Sequence, residues 1–244
     1  MFVAINVLVI DAGNTSVKFT AFKGEKLLWV AADVLNVLES GFVPDAVYFA
    51  SVRSKEESIV EVERVKEAFS SCAWLELSSE SQACGVANAY FEPARLGVDR
   101  WLGVIAAHHL YKKDVVIVDA GTAIKVDLVS RGGKHLGGYI VPGLSMMKKA
   151  LLSNTARIRY STSEVVASKG LPNSTARAVT EGCHEMALGF LERIYRNYSD
   201  SQWVVTGGDG RTLLDLLNIP LDSQPNLVAL GARLVGDELM RGKE

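Results

Sequence analysis

One short phrase occurs twice in this chain. Residues 7–18 read VLVIDAGNTSVK and residues 115–125 read VVIVDAGTAIK. In each, an aliphatic run ends in Asp-Ala-Gly, and a threonine, an apolar residue and a lysine follow. The paired acids, Asp11 and Asp119, cannot bind phosphate themselves, because like charges repel. Each can hold a cation that bridges to phosphate, directly or through water. Gly13 and Gly121 leave room for backbone N–H groups to approach an anion in a tight turn. Thr15 and Thr122 offer hydroxyl donors, and Lys18 can add a point charge. A single Asp-x-Gly-x-Thr is ordinary turn chemistry. Two copies closing matching runs suggest two similar lobes that face each other across phosphate and metal.

Two further stretches carry candidate chemistry. Gly97-Val98-Asp99-Arg100-Trp101 opens a helical pattern. An acid in a first helical turn complements the helix dipole. It can equally accept a proton from a substrate hydroxyl, with the adjacent guanidinium gripping a substrate carboxylate. Gly137 to Gly143 reads GGYIVPG, a short strand between glycine turns, and is either turn punctuation or a wall where backbone meets a ligand. Gly207 to Gly210 is a further glycine turn. His108 and His109 are adjacent on a helix and point to different faces, and His135 and His184 have no acid or cysteine at ligand spacing, so all four read as ordinary polar or capping residues.

The elements that must position these residues follow from periodicity. Ile5–Ile10, a strand through Val17, Phe19 and Ala21, and Leu27–Ala31 form a meander around the first turn. Ala46–Val52 and Trp74–Leu77 read as strands, with an amphipathic helix over 55–69 between them. Gly97–Tyr111 is the clearest helix. Val115–Val118, Lys125–Val129 and Gly137–Val141 repeat the meander, and Leu144–Leu152, Thr175–Tyr195 and Asn226–Met240 read as helices around a strand at Trp203–Thr206. Residues 153–174, with weak periodicity, are expected to be mobile. The fold class is α/β: two duplicated actin-like (ribonuclease-H-like) lobes, mixed sheets with flanking helices. The lobes are expected over 1–108 and 109–244.

Bulk properties narrow the classes of function. The chain has 244 residues, 48% hydrophobic and 22% charged, which suits two globular lobes. A formal net charge of −2 gives no field to attract nucleic acid or an anionic membrane. Cys72, Cys84 and Cys183 lack C-x-x-C spacing and are expected to be reduced thiols. No apolar run approaches about 18 residues, and no basic flank precedes the first strand, so a cytoplasmic protein without a membrane span is expected.

Taken together, DAGNT at 11–15, GVDRW at 97–101, DAGTA at 119–123 and GGYIVPG at 137–143 resemble the type III pantothenate kinases, in the same order. These belong to the acetate-and-sugar-kinase, heat-shock-protein-70 and actin superfamily. The resemblance implies transfer of the γ-phosphoryl group of ATP to the primary hydroxyl of pantothenate, the first step of coenzyme A biosynthesis. It places Asp11, Ala12, Gly13, Asn14, Thr15, Ser16, Val17 and Lys18 in a phosphate loop for ATP, with Asp11 on magnesium through water. Thr122 falls at a second ATP contact. Tyr90, Gly97, Val98, Asp99 and Arg100 correspond to the pantothenate segment, with Asp99 as the catalytic proton acceptor. Asp119 corresponds to the holder of a monovalent cation, potassium or ammonium. Thr175 matches a substrate contact supplied across a homodimer. Two other readings use the same residues: a nucleotide-binding regulatory module without transfer, or a kinase for another small hydroxy acid or sugar. Neither nucleic acid nor membrane is an expected partner.

Overall fold

The computed structural model describes residues 5–53, 59–210, 213, 217 and 219–242. Its first sheet is built from β1 (Asn6–Ala12), β2 (Val17–Lys23), β3 (Lys26–Ala31), β4 (Ala46–Ser51) and β5 (Ala73–Glu76) in the order β3-β2-β1-β4-β5. The meander β1-β2-β3 is antiparallel, and β4 and β5 add in parallel. Val7 to Ile10 are all fully buried. A central strand covered on both faces reads as an unbroken apolar run, which is why it was legible.

Helices cover both faces. On one side Leu8, Ile10, Phe19, Val47 and Phe49 pack with Val34 and Val37 of α1 (Val34–Glu39) and Val62 and Val65 of α2 (Ile59–Ala68). Periodicity alone does not predict the helix at 34–39. Its signal is Asp33, whose carboxylate accepts the Leu35 N–H at 2.8 Å as an N-cap. The helix expected over 55–69 is present from Ile59, and residues 55–58 lie outside the described residues. On the other side, α3 (Val98–Tyr111) and α6 (Leu227–Arg241) pack on each other and on β4, and α6 also meets β1. Tyr48, fully buried beneath α6, donates its hydroxyl to Asp237 at 2.9 Å. Burial, then the Asp237 charge, pushes the phenol well above its ordinary pKa.

The second sheet repeats the first. β8 (Val115–Ala120), β9 (Ala123–Val129), β10 (His135–Pro142), β11 (Gln202–Thr206) and β12 (Asp222–Ser223) run in the order β10-β9-β8-β11-β12. The small hairpin β6 (Gln82–Ala83) and β7 (Val86–Ala87) stands apart. With α4 (Leu144–Asn154) packed on α5 (Thr175–Asn197), this is the duplicated, mixed α/β architecture expected. Cys72, Cys84 and Cys183 are all free thiols. Burial and the neighbouring Glu238 carboxylate push Cys84 up to about 12.

Compact packing divides the chain differently from the repeat. One unit is 1–115 with 127–137 and 226–244, and the other is 116–126 with 138–225. The sequence repeat suggested a single cut between 108 and 109. Strand order repeats there, but packing follows helices, and α6 returns to α3. The reason is steric: a Cβ on Gly231 would overlap the backbone of Leu102, so the two helices touch main chain to main chain. Gly231→Ala is expected to cost about 1–3 kcal/mol by forcing these helices apart. Urea unfolding of the variant against wild type measures this.

Candidate active site

In the first unit, Asp11 lies at the end of β1, half-buried, in register with Lys18 across the β1–β2 pair. Asn14, Thr15, Ser16 and Lys18 are exposed around the turn, while Ala12 and Val17 are buried and anchor it. Gly13 does not adopt a left-handed φ, and a Cβ there would touch only Ser16 O, at 3.4 Å. The turn therefore does not demand glycine. The expected tight-turn role gives way to the other one, closeness of approach from outside. Arg53, which sequence reasoning passed over, donates from Nε to Gly13 O at 2.5 Å and brings a guanidinium to this loop.

Asp99 occupies the first turn of α3, half-buried, and its Oδ1 accepts the Arg100 N–H at 2.8 Å. Gly97 precedes the helix as its N-cap, and a Cβ there would lie 2.7 Å from the same oxygen. The absent side chain at 97 is what lets the carboxylate fold back over the helix start. The carboxylate thereby lies at the positive end of the helix dipole.

Arg100 differs from expectation. It is 6% exposed, and Nε and Nη2 donate to the two oxygens of Asp127 at 2.8 and 2.7 Å. The bidentate edge expected to grip a substrate carboxylate is occupied by the protein's own. Nη1 donates to the Tyr90 hydroxyl at 2.9 Å. Burial alone would pull the guanidinium down, but hydrogen bonding and charge from Asp127 outweigh it and hold its pKa above the ordinary value. His135, fully buried, completes the group. Its Nδ1 accepts the Ala89 N–H at 3.4 Å, so the proton sits on Nε2 and is donated to Asp127 Oδ1 at 3.0 Å. The ring also stacks on Tyr90, with centroids 6.3 Å apart.

Asp127 and His135 were missed. No acid stands at ligand spacing from His135 in the sequence, yet β9 and β10 are neighbouring strands and bring it to Asp127. A legible signal existed in Asp127 itself. An acid inside the run Ile124 to Val129 must be paired if that run is a buried strand.

In the second unit, Asp119 is the penultimate residue of β8, as Asp11 is of β1. Its Oδ2 lies 2.7 Å from Lys125 Nζ on β9. Thr122 is exposed in the turn. The two flanking glycine stretches close on this turn from within the unit. Gly143 donates its N–H to Thr122 O at 3.0 Å, and a Cβ on Gly143 would overlap Gly121 O. Gly207, at φ +88°, packs on Ala120 O, and Asp209 N–H donates to that oxygen at 3.0 Å. Both stretches therefore brace the second turn. Thr175 is exposed at the first turn of α5, beside a hollow lined by Leu151, Ile158 and Pro172. The stretch expected to be mobile just before it is tied down. Buried Arg177 donates to Ser168 O and Gly170 O at 3.1 and 2.9 Å, and Arg159 Nη1 donates to Leu152 O and Thr155 O at the end of α4 and to Ile158 O beyond it.

The profile of the family described as type III pantothenate kinase matches residues 7–197. A protein of that name from Marinomonas sp. (strain MWYL1) is 63% identical over 244 residues, covering all of both chains. One from Pseudomonas aeruginosa (strain PAO1) is 37% identical, covering 93% of this chain and 98% of its own. A solved structure from Campylobacter jejuni, described as a Baf family transcriptional activator, aligns with a TM-score of 0.59 at 24% identity, covering 96% of this chain and 99% of that one. That last likeness concerns the fold alone, whereas the family profile spans most of the chain and the Marinomonas match all of it: this protein belongs to the type III pantothenate kinase family.

Proposed function

We infer that this chain transfers the γ-phosphoryl group of ATP to the primary hydroxyl of pantothenate, giving 4'-phosphopantothenate in the first step of coenzyme A biosynthesis. The observation that carries the reading is full-length identity of 63% to a protein named for that activity. Phosphoryl transfer asks for positioning and charge stabilisation more than for covalent chemistry. The first hairpin supplies phosphate contacts: backbone at Gly13, hydroxyls at Thr15 and Ser16, and charge at Lys18 and Arg53. In the second unit, Thr122 is the further ATP contact that the family resemblance implies.

Magnesium suits Asp11. A single half-buried carboxylate matches a cation that keeps several waters and takes its other ligands from phosphate. When bound, it would neutralise charge on the β- and γ-phosphates. On the acceptor side, Asp99 takes or orients the hydroxyl proton of pantothenate. Gly97 and Val98 shape the wall around it, and Tyr90 presents its ring and hydroxyl. Arg100 acts on pantothenate through Tyr90, because its fork is committed to Asp127.

The active form in this reading is a homodimer, with Thr175 reaching the substrate of a partner subunit. Exposed apolar side chains on the second unit, Tyr139, Ile140, Met146 and Met186, support a covered face there. No helix among the described residues is long and apolar enough to cross a membrane, and the cytoplasm is the compartment this reading assigns.

Three outcomes test these roles. Asp99→Asn should retain ATP binding and lose about 10²–10⁴-fold in turnover. Pantothenate-dependent ADP release reads this directly, and near-normal turnover would remove Asp99 from the chemistry. Tyr90→Phe should raise the Michaelis constant for pantothenate and leave that for ATP unchanged. Arg100→Ala should do the same and, in addition, destabilise the fold by about 3–5 kcal/mol, because Asp127 is left buried without its partner. Chemical denaturation separates the stability loss from the kinetic one.

A further inference from the structure

The resemblance implies a soluble monovalent cation at Asp119, and the residues present do not fit one. The carboxylate is already engaged: Lys125 Nζ stands 2.7 Å from Oδ2, with the two side chains only 20% and 24% exposed. The other oxygen faces Gly207, where an added Cβ would come within 2.6 Å of it. Lys125 is directed here by the strand, since its neighbours Ile124 and Val126 point into the core at 1% and 0% exposure. The equivalent lysine of the first hairpin, Lys18, is cross-strand from Asp11 yet exposed. The two hairpins thus share a sequence phrase and differ in where the ammonium rests.

A potassium ion on the same carboxylate would sit beside a fixed positive charge in a half-buried setting, where like charges are poorly screened. An alkylammonium is itself a compact monovalent cation with three donors. Being tethered to β9, it needs no supply from solution. We propose that the Lys125 ammonium takes the place of the soluble monovalent cation in this chain, so that the enzyme works without potassium or ammonium ions. The inference rests on the reading of the second hairpin as part of the ATP site.

The test uses the full chain with magnesium and ATP at constant ionic strength in choline, sodium, potassium or ammonium chloride. Pantothenate-dependent ADP release should proceed at the same rate in all four. Lys125→Ala should lose about tenfold or more in choline and sodium and recover in potassium or ammonium. Lys125→Met, which keeps the aliphatic stem, should behave likewise and guards against loss of folding. A second readout is the rise in melting temperature on adding a non-hydrolysable ATP analogue. It should be indifferent to potassium in the wild type and potassium-dependent in both variants. A wild type that gains about tenfold with potassium overturns the proposal. So does Lys125→Met that matches wild type in choline. Absence of ADP release and of any analogue-induced melting shift in every salt would instead remove the kinase reading, and this inference with it.

Discussion

A guanidinium 6% exposed can exist in a folded chain only with its charge met, and in this protein Asp127 meets it. That requirement joins elements far apart in sequence. The start of α3 is fixed to β9, β10 contributes His135 to the same carboxylate, and the loop at Tyr90 is drawn in by the remaining guanidinium nitrogen. Asp99 is the residue next to Arg100, so its backbone is held in place by the same pair. The chain places its candidate proton acceptor by burying the neighbour.

Much of the fold was visible in the sequence because the signals were local. Val7–Ile10 and Val115–Val118 are unbroken aliphatic runs, each stopped by an acid and a glycine, and both proved to be central strands. The helix at Val98–Tyr111 was legible from its apolar spacing. What stayed hidden was non-local. Asp127 and His135 acquire meaning only from strand neighbours, and Arg100 looked available for a substrate because nothing nearby in sequence claims it. The hold on residues 168–173 was invisible for a similar reason: Arg177 satisfies backbone carbonyls, which leave no mark in residue types.

The repeat also promised more symmetry than the molecule has. Both turns end a strand with Asp-Ala-Gly, but the first is gripped by Arg53 through a carbonyl, while the second is braced by the Gly143 and Gly207 backbones. Glycine is indispensable at the bracing positions and optional, as far as the backbone is concerned, at Gly13 and Gly121. Duplicate phrases therefore carry unequal work, a distinction set by what packs behind each turn.

The return of α6 to α3 has a bearing on how the molecule is made. Tyr48 and Leu102 belong to the early part of the chain, yet their cover, Gly236 and Gly231, emerges after the whole of 138–225 has been translated. At the usual pace of synthesis that interval is on the order of ten seconds. The nascent first lobe waits through it with an apolar flank still uncovered.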